Sequence, residues 1–582
     1  MNISLQYQKY IIITFLFSIN TITISTFIIY IDNWYIYLFL LSLATIINSS
    51  SVLLLLGNKI FYKNKELSQR IKEFNYMYII PCYNESEEEL TLALQSIVCQ
   101  HQLPRDYRCM LIICDGKVIG NGNFYSTDVI LRKILNQLNE PLIHEYITWD
   151  NEKNRIEIYS GIYECGQYII DYLLIVKNKN YGKRDSLVLA RKLCYNYNMK
   201  ILSDNMINSD MMTYIGNAFN EVYSGYNIDY IIGIDADTIF DYNCSYELIK
   251  VMEKDETVQG CVGYVDIYPK MNKWSIYVLY QYAEYMFAQC LRRQAQSDIT
   301  GKVSCLSGCN QILRISNETC GEEILTKFNY LPKEGENIFN HIRSYASEDR
   351  NHVCLMLSMF PKVKTKQTLK AVAYTIVPTS LTVFMSQRRR WSLGANTNDM
   401  MLIYLPGINI FERISALVNI IIYSFSPFIF VATIFFMKSI IINPTYLMLL
   451  LSIPILIIIG YSLLIPIFIK PLSFRSALYY YLSYILFVMF GSLINLCIYF
   501  NSIINMDVIT WGKTRSISIG NGKILLKNDD IKNDAIIKND TIININRKIN
   551  IRNDLELEYD DFIYSLATTK DEIVHSIADI NV

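Results

Sequence analysis

Long apolar runs at both ends constrain this chain more than any other feature. Residues 10–30 and 34–57 carry almost no charge. Each is long enough to cross a bilayer core of about 30 Å as a helix. Apolar runs return at 414–437, 446–469 and 478–500, punctuated by Lys438 and by Lys470-Pro471. Of the 582 residues 52% are hydrophobic, and the excess lies in these runs. The pattern predicts a multi-pass membrane protein with a soluble middle and the lipid bilayer as a partner. The first run is longer than the apolar core of a cleavable signal peptide, so it reads as a retained anchor. Lys59, Lys63, Lys65, Arg70 and Lys72 follow the second run. By the positive-inside rule that cluster places the middle, about 58–410, in the cytosol.

The 53 basic and 54 acidic side chains leave a formal net charge of −1, which gives no support to nucleic-acid binding. The 14 cysteines form no two matching Cys-x-x-Cys pairs, so a structural zinc site is not expected. In a cytosolic domain these thiols stay reduced.

The middle reads as α/β. Four short apolar strands, at 77–80, 109–113, 173–176 and 231–234, each run into charged or glycine-containing residues. These are Pro81-Cys82-Tyr83-Asn84-Glu85, Cys114-Asp115-Gly116, Gly182-Lys183-Arg184-Asp185 and Asp235-Ala236-Asp237-Thr238. In open α/β sheets the ligand binds at that carboxyl end. Residues 87–97 read as the helix after the first strand. An insertion at roughly 120–170 has no readable role. Beyond 516 the chain turns polar, with near-repeats of Lys-Asn-Asp at 527–529, 532–534 and 538–540. This tail has too few large apolar residues for a core and is expected to be disordered or weakly helical.

Several motifs carry chemistry. Asp235 and Asp237, just past a strand, can hold a hard divalent cation together with substrate phosphates, or can form an ordinary acidic turn. Ser347-Glu348-Asp349-Arg350 offers a carboxylate beside a fixed cation, either as a general base or as a salt-bridged surface helix. Gln387-Arg388-Arg389-Arg390-Trp391 sets three guanidiniums beside an indole, suited to pyrophosphate and to a sugar face. It also fits a basic stripe at a membrane surface. Cys305 and Cys309 flank a short turn and have no companion ligands nearby, which favours a packed turn over a metal site.

In this order the motifs resemble the chitin synthases of processive glycosyltransferase family 2. The resemblance covers about 75–515. It takes in the four strand-end motifs above and Gln281-Tyr282-Ala283-Glu284-Tyr285. It also takes in Val303-Ser304-Cys305-Leu306-Ser307-Gly308-Cys309, Glu348-Asp349-Arg350, residues 387–391 and Trp511-Gly512-Lys513-Thr514-Arg515. It implies an α/β GT-A (Rossmann-like) cytosolic catalytic domain within an α-helical multi-pass membrane protein. The implied divisions are two transmembrane helices in 1–57, the GT-A domain in 58–350 and interfacial helices in 351–411. Transmembrane helices at 412–501, the Trp511 segment at 502–516 and the tail at 517–582 follow.

The implied reaction extends a β-1,4-linked chitin chain from UDP-N-acetylglucosamine with Mg²⁺ or Mn²⁺. The product would leave through the membrane helices, in the plasma membrane. Glu85 and Asp115 would meet the uridine end, with Lys183 and Arg184 beside the nucleotide. Asp237 would bind the metal with Asp235 near it, and Asp349 would deprotonate the acceptor's 4-hydroxyl. Gln387, Arg390 and Trp391 would hold the leaving diphosphate and the terminal sugar. Cys305, Glu348, Arg350 and Trp511 would complete the substrate-binding surface. A homo-dimer is left open. Two departures, Ser307 where the family usually has Pro and Asn310 where it has an apolar or aromatic residue, imply a differently shaped acceptor channel. Hyaluronan synthase is the nearest alternative. A transporter would explain the spans but not the acidic and arginine motifs.

One conflict remains at this level. Three spans after a cytosolic middle put residues 511–515 on the far side of the membrane. An interfacial, re-entrant or broken run would bring them back.

Overall fold

The computed structural model describes residues 4–61, 69–120, 122–223, 225–442 and 444–508. The Trp511 segment and the polar tail lie outside the described residues.

Ten strands form one mixed sheet: β1 (Asn75–Cys82), β2 (Tyr107–Cys114), β3 (Leu142–Ile147), β4 (Lys153–Cys165), β5 (Tyr168–Lys177), β6 (Tyr230–Gly233), β7 (Thr238–Phe240), β8 (Val258–Ile267), β9 (Gln311–Arg314) and β10 (Lys364–Thr375). Their order is β3-β4-β5-β2-β1-β6-β9-β8-β10-β7. The run β5-β2-β1-β6 is parallel throughout. Helices cover both of its faces, so its strands are buried on both sides. This is why they are written as unbroken apolar runs such as Met77–Ile80 and Leu111–Ile113, without alternation. Two apolar clusters fill the two faces. The helix after β1, Glu87–Val98, starts with Ser86 and Glu89 in a reciprocal capping box.

The insertion is now defined. A short helix, Thr127–Ile134, precedes β3, and β3 and β4 pair antiparallel as a hairpin that β5 then extends. The sheet also runs past the boundary drawn at residue 350. β10 pairs parallel with β8, so 364–375 belongs to the sheet and not to a block of interfacial helices.

Among the described residues four helices are long and apolar enough to cross a membrane: Leu5–Ile29, Ile31–Phe61, Tyr446–Ile469 and Phe474–Ile504. Their outward faces leave Phe15, Phe39, Leu456 and Met489 exposed, which fits a membrane protein. The expected span at 414–437 is broken. Ile410–Ser424 and Ser426–Ile442 meet at 80°, and they add a fifth candidate only if taken together. Pro427 explains the break. It lies in the first turn of the second helix, where its missing N–H costs nothing, but it cannot continue the helix before it. Without the bent pair, two of these helices follow the sheet in the chain.

Candidate active site

A pocket opens at the carboxyl ends of β1 and β2 and is lined by Pro81, Cys82, Tyr83, Glu85, Asp115, Asn180, Gly182 and Lys183. The backbone places each acid. The Glu85 carboxylate accepts from the Tyr83 N–H at 2.7 Å. Asp115 Oδ1 accepts from the Tyr181 N–H at 3.2 Å and from Lys177 Nζ at 3.1 Å. Lys177 ends β5 and is fully buried. Its ammonium also donates to Asp185 at 2.6 Å and to Ser186 Oγ at 2.8 Å. Burial alone would lower its pKa, but Asp115 and Asp185 outweigh it and raise it. The insertion supports this pocket from behind. Asn123 donates to the Glu85 carbonyl and Thr127 to the Tyr83 carbonyl, each at 2.9 Å. Tyr146 Oη and the Trp149 N–H both donate to Asp185.

Beyond the pocket lies a knot of carboxylates with one bridging cation. Lys183 Nζ is 2.5 Å from Asp235 and 3.6 Å from Glu348. Asp237 is pushed up to about 7, first by burial and then by Asp235 and Glu85. The adjacent pair Glu348 and Asp349 is split. Burial opposes ionisation of both. Lys183, Arg390 and Arg184 overcome it at Glu348 and hold that carboxyl below its ordinary range. At Asp349 burial, Glu348 and Asp235 prevail over Lys183 and raise it to about 6. Asp349 Oδ2 accepts from the Gly308 N–H at 2.8 Å, and Oδ1 is buried without a hydrogen-bond partner. A Cβ on Gly308 would lie 2.7 Å from Oδ1, so the approach requires glycine. Two neighbouring carboxyls with opposite shifts are a recurring arrangement for dividing ionised and proton-accepting roles.

The three arginines of 388–390 part company on helix Leu381–Tyr404. Arg388 points into the fold. It pairs with Glu284 at 2.5 Å, reaches Gln281 at 3.2 Å and lies 4.2 Å from the Trp391 ring centre. It also donates to the Gln387 side chain. Arg389 is within electrostatic reach of Asp507, and Arg390 faces Glu348 and Asp235. Trp391 is 44% exposed and packs near Tyr285. The helix lies hard against the turn that starts the Glu348–Met359 helix. A side chain at Gly394 would overlap Ser347.

Of the residues singled out in the sequence, Glu85, Asp115 and Lys183 share the pocket. Lys183 then joins it to Asp235, Glu348 and, electrostatically, Asp349. The structure gives Arg184, Arg350 and Asn310 partners within the fold. The Arg184 guanidinium is buried and donates to the Phe328 and Arg343 carbonyls and to Asn351, so its hydrogen bonds hold the fold. Arg350 pairs with Asp399 at 2.6 Å and is not free to bind substrate. Cys305, half-buried, lies within electrostatic reach of Arg350 and Cys354. Asn310 is wholly buried and donates to the Tyr264 and Ala371 carbonyls at 3.2 and 3.0 Å, tying β8 to β10 and not shaping a channel. Among the described residues no group of three or more His, Cys, Asp or Glu side chains gathers to hold a metal. Lys177 and Asp399, which pair with Asp115 and Arg350, were not singled out in the sequence. Lys177 had a signal, a lone cation closing the apolar run Leu173–Val176.

A parallel β5-β2-β1-β6 sheet with acidic strand ends around one pocket defines a GT-A glycosyltransferase. The family model described as chitin synthase matches residues 57–548, and the chain belongs to that family. It is 35% identical over 456 residues to chitin synthase 8 of Gibberella zeae, covering 76% of this chain and 67% of that protein. It is 31% identical to chitin synthase 8 of Verticillium dahliae, covering 74% of each. Among solved structures, a mannosyltransferase from Pyrobaculum calidifontis in complex with GDP-Man and Mn²⁺ covers 77% of this chain and 97% of its own at 12% identity and a TM-score of 0.37. At that score the likeness adds nothing to the strand order.

Proposed function

We propose that this glycosyltransferase polymerises N-acetylglucosamine from UDP-N-acetylglucosamine into β-1,4-linked chitin and passes the chain across the plasma membrane, with its catalytic domain in the cytosol. The observation that carries the reading is the split pair Glu348/Asp349, held across Lys183 from Asp235 and beside the donor pocket.

In this reading Glu85 and Asp115 orient the uridine end of the donor, with Asp115 fixed by Lys177. Asp235 and Asp237 are suited to Mg²⁺ or Mn²⁺. Asp237, pushed up to about 7 by burial and then by Asp235 and Glu85, is short of positive charge, and diphosphate oxygens would complete the ligands. The ion supplies neutralisation of charge on the departing UDP. Lys183 and Arg390 add fixed cations beside the same carboxylates. Asp349 takes the proton of the acceptor's 4-hydroxyl as that oxygen bonds to C1 and the C1–O bond to UDP breaks, with inversion. Its raised pKa suits a base working near neutral pH. Ionised Glu348 beside it keeps Lys183 in place. Trp391 offers its exposed face to the terminal sugar, and Gln387 and Arg390 border the diphosphate.

The test uses membranes holding the full chain. Given UDP-N-acetylglucosamine and Mg²⁺ they should release UDP in step with insoluble polymer, and a chelator should stop both. UDP release that never yields polymer would point to a hydrolase or a non-processive transferase.

A further inference from the structure

We propose that Asp399 is a positioning residue for the base, a two-sided clasp that ties Asp349 to the helix leading into the bent apolar pair. Asp399 lies on the Leu381–Tyr404 helix, and its side chain is 5% exposed. Oδ1 takes Arg350 at 2.6 Å, and Arg350 is the residue next to Asp349. Oδ2 takes the Asn419 amide at 2.9 Å, from the Ile410–Ser424 helix. Arg292, from the π-helical stretch Ala288–Arg293, is within electrostatic reach of the same carboxylate and is repelled by Arg350. Asp399 is thus the anion shared by two guanidiniums. Without it they would repel each other directly behind the base.

Two further contacts make the joint stiff. Asn351 donates to Asn398 at 3.1 Å, one residue before the clasp, and Gly394 packs on Ser347. The Ile410–Ser424 helix has a second tie of its own, from Glu412 to Thr300 at 2.7 Å and to Gln296 at 3.1 Å. A helix fastened in this way moves with the floor of the site. Displacement of the apolar helices therefore reaches Asp349 through Asp399 and Arg350.

The inference rests on Asp349 being the base, and the experiment separates the two claims. Four single variants, Asp349→Asn, Asp399→Asn, Asp399→Glu and Asn419→Ala, and the double Asp349→Asn/Asp399→Asn are assayed in membranes by labelled sugar incorporation. Asp399→Asn should lower kcat about 10- to 100-fold while KM for UDP-N-acetylglucosamine stays within about twofold, because a misplaced base slows chemistry and leaves donor binding alone. Asp399→Glu should recover most of the loss, and Asn419→Ala should show a smaller drop of the same kind. The double variant should be no slower than Asp349→Asn, since Asp399 acts only through the base. Wild-type kcat in Asp399→Asn, or a further drop on top of Asp349→Asn, overturns the proposal. If Asp399→Asn fails to accumulate, Asn419→Ala decides, and unchanged kcat there overturns it. Full turnover in Asp349→Asn removes the base itself, whereas a dead Asp349→Asn beside a normal Asp399→Asn removes only the clasp.

Discussion

The proposed donor side and the proposed base side of this site treat buried charge in opposite ways. On the donor side every buried charge has a close partner. Lys177 is shared between Asp115 and Asp185, at 3.1 and 2.6 Å, and backbone N–H groups complete both acids. On the base side Asp349 faces burial and two other carboxylates, and one of its oxygens has no hydrogen bond. The first arrangement fixes a shape. The second keeps a carboxyl in an unfavourable state that makes it a better proton acceptor, at a cost in stability that functional sites commonly carry.

That contrast can be broken. The largest effect is expected at Lys177. Lys177→Met strands two buried carboxylates and should cost about 3–5 kcal/mol of stability, read by denaturant or thermal unfolding. Asp349→Asn should behave in the opposite sense. A carboxyl whose pKa is raised on folding takes up a proton, so it costs stability as pH rises through about 6, and removing it removes that cost. The variant should be at least as stable as the parent near pH 7 while kcat falls about 10²-fold, roughly 2.7 kcal/mol of barrier. If both variants unfold alike, the two sides do not differ.

Smaller effects sharpen the picture. Gly308→Ala puts a methyl against Asp349 and should lower kcat on the order of tenfold, with KM for the donor nearly unchanged. In the parent, kcat/KM should rise with pH through about 6 and level above it, because protonated Asp349 cannot accept a proton. A limb that falls with increasing pH in that range would assign the titrating group to an acid.

The two sides also differed in how far the sequence could be read. The residues proposed to meet the donor follow buried parallel strands, so a short apolar run precedes each acid in the chain. The split of Glu348 and Asp349 arises from Lys183, Asp235 and Gly308, all distant in sequence, and a lone Glu-Asp-Arg string looks like any surface helix. The partners of Arg184 were not legible because its neighbour Lys183 faces the pocket, and one step along a helix turns a side chain by about 100°. Asn310 was misread because its partners are backbone carbonyls on β8 and β10, which no side-chain pattern reveals. The break at Pro427 was legible, but its own apolar setting hid it in what looked like one span.

The central claim is that the site makes chitin. Membranes carrying the full chain and supplied only with UDP-N-acetylglucosamine and Mg²⁺ should form a polymer that chitinase degrades completely. A polymer that forms only when UDP-glucuronic acid is added, or one that resists chitinase, would contradict it.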